Sequence, residues 1–255
     1  MDGILLLNKT ERCTSFELVK RAKRALGIKK IGHGGTLDPF AGGLLILLLG
    51  KGTRLFGYIS ELDKSYTGTV ILGVETDTYD REGNILFKNE GSVPLREEIE
   101  EQISSMRGKV LQSPPKFSAV KINGKRAYEL ARKGLDFSPK PREVMIYDIW
   151  LMEYNYPSLT LTVKAGKGFY MRSLAHELGQ RLGTGAHLYG LIRNSIGPFT
   201  LEDAVDSDQI EVRKEELPKR LLPLERVVEM IEEYKNKEEK IGLYKRDQER
   251  DHREV

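Results

Sequence analysis

Only one cysteine, Cys13, occurs among the 255 residues, so no internal disulfide can form and a cysteine-based metal site is excluded. That usage fits a reducing cytoplasm. Histidine is scarce as well, and His33, His176, His187 and His252 have no ligand-like spacing. His176-Glu177 opens like a zinc-protease helix, but Gln180 stands where a second His is needed. Neither a metal nor a cofactor is expected. In Gly50-Lys51-Gly52-Thr53 the Lys is followed by Gly, and Leu45 occupies the place of a phosphate loop's first glycine. Long apolar runs are missing. Ile4 to Leu7 follows Asp2 and is no secretory signal, and no stretch reaches membrane-spanning length. No repeat of solenoid period is present. Excess charge is missing too: 41 Lys+Arg oppose 38 Asp+Glu, and a net +3 selects no partner.

Local charge says more. Between Lys20 and Lys30 lie Lys20, Arg21, Lys23, Arg24, Lys29 and Lys30, with no acid. They lead into Lys30 to Leu45, where Gly32, Gly34, Gly35, Gly42 and Gly43 crowd around His33, Thr36 and Asp38. Glycine lets other backbones or ligands approach closely. Pro39 drives Asp38 out of the helical region. The expected result is a stiff, irregular loop that presents one carboxylate at a fixed angle. Leu44 to Leu49 behind it reads as a buried strand. Beside such a loop the basic run is a candidate phosphate-binding surface, with Lys20, Arg24, Lys29 and Lys30 as its contacts.

Elsewhere, Gly3 to Leu7 predicts a strand. Thr14 and Glu17 form a capping box for a helix that ends at Gly27. Thr53 to Ser60 predicts a short helix. Lys64 to Val74 alternates as a strand, with Tyr66, Gly68, Val70 and Leu72 on one side. A short strand over Asn84 to Phe87 and a helix over Leu95 to Met106 follow. Asn123-Gly124 is a turn signal. Val144 to Tyr154 and Ser158 to Lys164 read as antiparallel neighbours. The segment from Gly168 opens a helix ending near Gly183, and Ala186 to Ile192 predicts another, broken by Gly197-Pro198. Hairpins outnumber β-α-β crossovers, which predicts an α+β fold with a large, mainly antiparallel sheet.

Gly32 to Leu45 resembles the hallmark of the TruB-type tRNA pseudouridine synthases, Gly-His-x-Gly-Thr-Leu-Asp-Pro-x-Ala-x-Gly-x-Leu, at every fixed position. Four later segments are similar to that family in the same order. They are Lys64-Ser65-Tyr66 with Thr76-Asp77-Thr78, Pro114-Pro115 with Ser118 to Lys121, Gly168-x-Tyr170-x-Arg172-Ser173-Leu174, and Leu191-x-Arg193 with Ile196 to Phe199. The resemblance runs from about residue 3 to about residue 225. Phe169 replaces a usual Thr, and Glu177 a usual Asp.

The resemblance implies the pseudouridine-synthase fold, a central RNA-binding cleft and a catalytic domain over 1–225. Residues 226–255 then form a charged helical tail, without the small RNA-binding domain most members carry. It implies conversion of uridine 55 in the T-loop of tRNA to pseudouridine by base flipping, without cofactor, in a monomer needing no protein partner. Asp38 matches the family's catalytic Asp, Arg172 the Arg that pairs with it, and Tyr66 the Tyr that packs on the target base. His33 matches a His that props the opened T-loop. Tyr170 and Leu191 match uracil-pocket positions, and Lys64 belongs to the Tyr66 motif as a substrate contact. A carboxylate so placed is expected to have its pKa lowered by the cation. Two other readings share these motifs: a guide-dependent rRNA-modifying relative, and an RNA chaperone that refolds tRNA.

Overall fold

A computed structural model describes residues 1–251 apart from Glu90, Ser92, Ala119, Asn123 and Asp136. Asn123 of the expected turn, Ala119 of the quoted motif and His252 therefore lie outside the described residues. The first half of the chain runs β1 (Gly3–Lys9), α1 (Ser15–Leu26), β2 (Ile31–His33), β3 (Gly42–Leu49), α2 (Phe56–Glu61), β4 (Lys64–Leu72), β5 (Val74–Thr76), β6 (Ile85–Lys88), α3 (Arg96–Ser105) and β7 (Gly108–Gln112). The second half runs β8 (Lys121–Ile122), β9 (Lys125–Arg126), α4 (Ala127–Arg132), β10 (Arg142–Asn155), β11 (Ser158–Ala165), α5 (Met171–Arg181), β12 (Ala186–Ile196), β13 (Phe199–Thr200), β14 (Val205–Asp206) and α6 (Leu224–Asp251).

One sheet of ten strands dominates, in the order β14-β1-β3-β12-β4-β11-β10-β7, with β2 beside β3 and β13 beside β12. Its pairings are antiparallel except β1 with β14 and β3 with β12. The fold is α+β with a large, mainly antiparallel sheet, as the hairpin pattern predicts.

Strand β3 shows why an unbroken leucine run is a strand here. Side chains alternate between faces. Leu44, Ile46 and Leu48 join Ile4, Leu6, Val227 and Ile231 in one core. Leu45, Leu47 and Leu49 join Leu5, Leu7, Leu18 and Val19 of α1 in another. Covered on both faces, the strand has no place for polar residues. A third core, over β4, β10 and β11, packs α3 and α5 and takes in Leu37, Phe40 and Ala41 from the glycine loop.

Helix α1 starts as its capping box requires, with Thr14 Oγ1 accepting from Glu17 N at 3.1 Å and Glu17 Oε2 accepting from Thr14 N at 2.6 Å. It stops at Gly27, whose φ of 64° is left-handed. The first turns of α6 belong to the body: Val227 and Ile231 are buried, and the Tyr234 hydroxyl donates to Asp63 Oδ2 at 3.4 Å.

Ala186 to Ile192 is strand β12, not the helix that its spacing predicts. Bulges lie between Leu188 and Gly190 and between Arg193 and Ser195. Each adds a residue and shifts the phase of the alternation. The buried Leu188 and Leu191 therefore fall three apart and imitate a helical face. The decisive information is nonlocal, since β3 and β4 flank the segment.

Gly43 sits where β12 crosses β3. Its φ is 97°, and a Cβ there would lie 2.5 Å from the Arg193 carbonyl oxygen. Positive-φ strain alone is worth roughly 1–3 kcal/mol. Gly43→Ala should therefore lower the melting temperature by about 4 °C or more; an unchanged value would refute the close approach.

Candidate active site

The glycine loop between β2 and β3 is pinned at nearly every step. Arg193, buried on β12, donates from Nη2 to Gly35 O at 3.1 Å, from Nη1 to Thr36 O at 3.4 Å and from Nε to Leu44 O at 2.8 Å. Ser15 Oγ accepts from Leu37 N at 3.0 Å. Lys9, 1% exposed, donates to Pro39 O at 3.2 Å and Ala41 O at 2.5 Å. Leu37 and Phe40 are driven into the core on either side of Asp38. What remains free is the Asp38 side chain, 35% exposed.

It faces Arg172, in the first turn of α5. Arg172 Nη2 donates to Asp38 Oδ1 at 3.3 Å, and Nε stands 3.0 Å from Oδ2, off the hydrogen-bond axis. The guanidinium is only 5% exposed and serves other acceptors as well: Phe117 O from Nη2 at 2.9 Å, and Thr78 O and Asp80 Oδ2 from Nη1, each at 3.3 Å. Asp80 is buried and held in turn, since its Oδ1 accepts from Thr78 Oγ1 at 2.6 Å and from Glu82 N at 3.0 Å. One buried cation thus faces two carboxylates, an arrangement that motif-by-motif reading does not reveal.

This second acid changes the electrostatics. The expected lowering of the Asp38 pKa is reversed. Burial raises it above the ordinary carboxylate value; Arg172 opposes that rise, and Asp80 adds to it. Tyr66, on β4, also has its pKa raised by burial, an effect that the positive charge of Arg193 opposes. The phenol therefore stays protonated at neutral pH. The Tyr66 ring is backed by Phe169, with centroids 6.1 Å apart at 41°.

Asp38, Tyr66, Tyr170, Arg172 and Leu191 come together around one cavity of about 660 Å³, joined by Asp80, Phe117, Phe169 and Arg193. Tyr170 is fixed through its backbone: its N donates to Gln112 Oε1 at 2.8 Å, and its O accepts from Gln112 Nε2 at 3.1 Å. The Arg142 guanidinium lies 5.8 Å from the centre of its ring. The cavity mixes aromatic walls with one buried charge cluster, which suits a flat polar ring.

The other predicted site residues lie elsewhere. His33, on β2, is outside the cavity lining; Gly35 N donates to its Nδ1 at 3.4 Å, and burial lowers its pKa, so the imidazole is neutral. Lys64 does not line the cavity: its ammonium donates to the carbonyls of Ser60, at 2.6 Å, and Leu62, closing the end of α2. Burial brings its pKa down to about 8. Lys20, Arg24, Lys29 and Lys30 are exposed, with Lys20 4.6 Å from the Phe16 ring centre. Among the described residues, Arg24, Lys29 and Lys30 form no ion pair, whereas Arg21 of the same run is held by Glu211 at 2.6 Å.

Comparison with known proteins places the chain in a family. The description "TruB family pseudouridylate synthase (N terminal domain)" matches residues 23–171. The chain belongs to the TruB family. A second description, "tRNA pseudouridylate synthase B C-terminal domain", matches residues 172–229 and begins at Arg172 itself. A tRNA pseudouridine synthase B from Dehalococcoides mccartyi is 44% identical over 230 residues, 89% of this chain and 77% of the relative. One from Protochlamydia amoebophila is 45% identical over 211 residues, covering 82% and 80%. Among solved structures, a Cbf5-Nop10-Gar1 complex is similar at 29% identity and a TM-score of 0.69, over 89% of this chain and 62% of that one. An H/ACA RNP bound to a substrate RNA containing 2′-deoxyuridine is similar at 27% identity and a TM-score of 0.66, over 89% and 61%.

The balance between Asp80 and Arg172 is measurable. A ¹³C NMR titration of the Asp38 carboxyl should give a midpoint above the ordinary 3.8. In Asp80→Asn the repulsion is gone and the guanidinium faces one acid alone, so the midpoint should fall. A midpoint that stays or rises would contradict the shared-cation arrangement.

Proposed function

We propose that this protein isomerises uridine 55 in the T-loop of tRNA to pseudouridine, without cofactor. The observation that carries the proposal is the carboxylate of Asp38, held against a buried guanidinium at the mouth of an aromatic-lined cavity. The similar proteins are tRNA pseudouridine synthases, which supports tRNA as the substrate class.

The reaction breaks the uridine N1–C1′ bond, turns the uracil and joins C5 to C1′. C5 loses a proton and N1 gains one. Asp38 acts as nucleophile or base, and Arg172 favours its ionised form against the burial that opposes it. The target base has to leave its stack, at a cost of a few kcal/mol that stacking in the pocket offsets. Tyr66 is the platform, at about 1–3 kcal/mol per stacked base. A phenol kept protonated passes on a proton only while accepting another, so its hydroxyl acts on the C5 proton as a relay. Leu191 and Tyr170 complete the uracil pocket. His33, as a neutral ring outside it, props the opened loop, and Lys64 shapes the wall behind Tyr66 through the end of α2. Lys20, Arg24, Lys29 and Lys30 meet the phosphates of the T-arm. The enzyme acts as a monomer in the cytoplasm, with no protein partner; no helix among the described residues is long and apolar enough to cross a membrane. The catalytic unit spans residues 1–225, and the helical remainder braces it.

Incubating the protein alone with an unmodified tRNA transcript and mapping pseudouridine tests the reaction and separates it from a guide-dependent one. Asp38→Asn should abolish turnover and leave transcript binding nearly intact; a tenth of the normal rate would remove Asp38 from the chemistry. Replacing Lys29 and Lys30 together should flatten the dependence of log K on log salt by somewhat under one unit per lost contact. An unchanged slope would move the phosphate path elsewhere.

A further inference from the structure

His176 and Tyr79 have no part in the chemistry just described, yet they pack beside it. Their ring centroids are 3.9 Å apart and their planes meet at 11°. His176 follows Arg172 by one turn of α5, so both side chains leave the same face of the helix. Tyr79 stands between Thr78 and Asp80, and the carbonyl of one and the carboxylate of the other converge on Arg172 Nη1. One face of α5 therefore grips three successive residues.

The middle residue is in an unusual conformation. Tyr79 has φ 63°, in the left-handed region that bulky residues rarely adopt. That turn is what brings the groups on either side of it to a single nitrogen. Strand β12 holds the backbone, with Leu188 N donating to Tyr79 O at 2.9 Å and Arg81 N donating to Leu188 O at 3.0 Å. The side chain is held by the His176 ring. Glu75 does not compete strongly for that ring: its Oε2 accepts from Gln180 Nε2 at 2.7 Å, and its Oε1 is 3.5 Å from His176 Nδ1 without an aligned hydrogen bond. Burial lowers the His176 pKa, so the imidazole meets Tyr79 as a neutral flat face.

We propose that His176 and Tyr79 are positioning residues, whose stack holds the left-handed turn that sets Asp80 and Thr78 on Arg172, and through Arg172 orients Asp38. The proposal rests on pseudouridine formation by Asp38 and adds to it two side chains that touch neither acid nor base. A small error in the angle of Arg172 is transmitted to the reacting carboxylate, while the RNA-binding surface stays as it was.

Single-turnover rates on an unmodified tRNA transcript, with transcript affinity measured separately by filter binding, test this on the full chain. His176→Ala and Tyr79→Leu should each slow the chemical step about tenfold or more, because misplacement of a reacting group is costly even from a distance. Affinity should remain close to that of the unaltered protein. His176→Phe keeps a flat ring and should recover most of the rate. The double variant His176→Ala/Tyr79→Leu should be no slower than the slower single one, because residues that act as a unit are not additive. A full rate in His176→Ala, a His176→Phe as slow as His176→Ala, single effects that multiply, or affinity lost in step with rate would each overturn the proposal. An unaltered protein that forms no pseudouridine would overturn instead the assigned reaction.

Discussion

The site depends on a buried guanidinium that has to be satisfied from several directions at once. Removing a cation from water is costly unless acceptors replace its hydration. Arg172 finds them on three segments distant in sequence: the glycine loop at Asp38, the turn at Thr78 and Asp80, and the loop at Phe117. None of these segments forms a regular element around its contact. Each is fixed partly because the same cation needs it. Assembly of the catalytic geometry and solvation of one side chain are thus a single event.

Arg193 does comparable work in the lining of the same cavity. It is as deeply buried as Arg172, but it meets carbonyls and a phenol rather than carboxylates. The contrast separates two tasks. Arg193 fixes backbone, so that the glycine loop has one shape. Arg172 meets charge, so that the acid at the tip of that loop has one orientation and an opposed pair of influences on its ionisation. The planar fork of arginine serves both tasks, where the compact ammonium of lysine could not reach so many acceptors.

What the sequence disclosed follows from the range of the interactions concerned. Helix α1 was legible because its cap, its apolar stripe and its terminal glycine all act within a few residues. Strand β3 was legible because covering on both faces leaves a continuous apolar run. The Asp38, Tyr66 and Arg172 assignments came from a fourteen-residue hallmark and later segments in a fixed order, and the cavity does bring those three together. Strand β12 was misread because the bulge between Leu188 and Gly190 displaced its alternation towards a helical spacing. Asp80 went unnoticed in what looked like a polar turn; nothing local distinguishes a carboxylate that caps a loop from one that also faces a buried cation. The direction of the Asp38 pKa was misjudged for the same reason, since it turns on burial and on that second acid.

Strand β1 draws its neighbours from segments early and late in the sequence. Ile4 exchanges backbone hydrogen bonds with Leu222, and Ile4 and Leu6 share a core with Val227 and Ile231. During synthesis the N-terminal strand leaves the ribosome long before the residues that cover it, and pairings so far apart in sequence form slowly. Strand β3 emerges early enough to pair with one edge of β1, whereas the edge that meets Val205 and Leu222 stays uncovered until the last third of the sequence has been made.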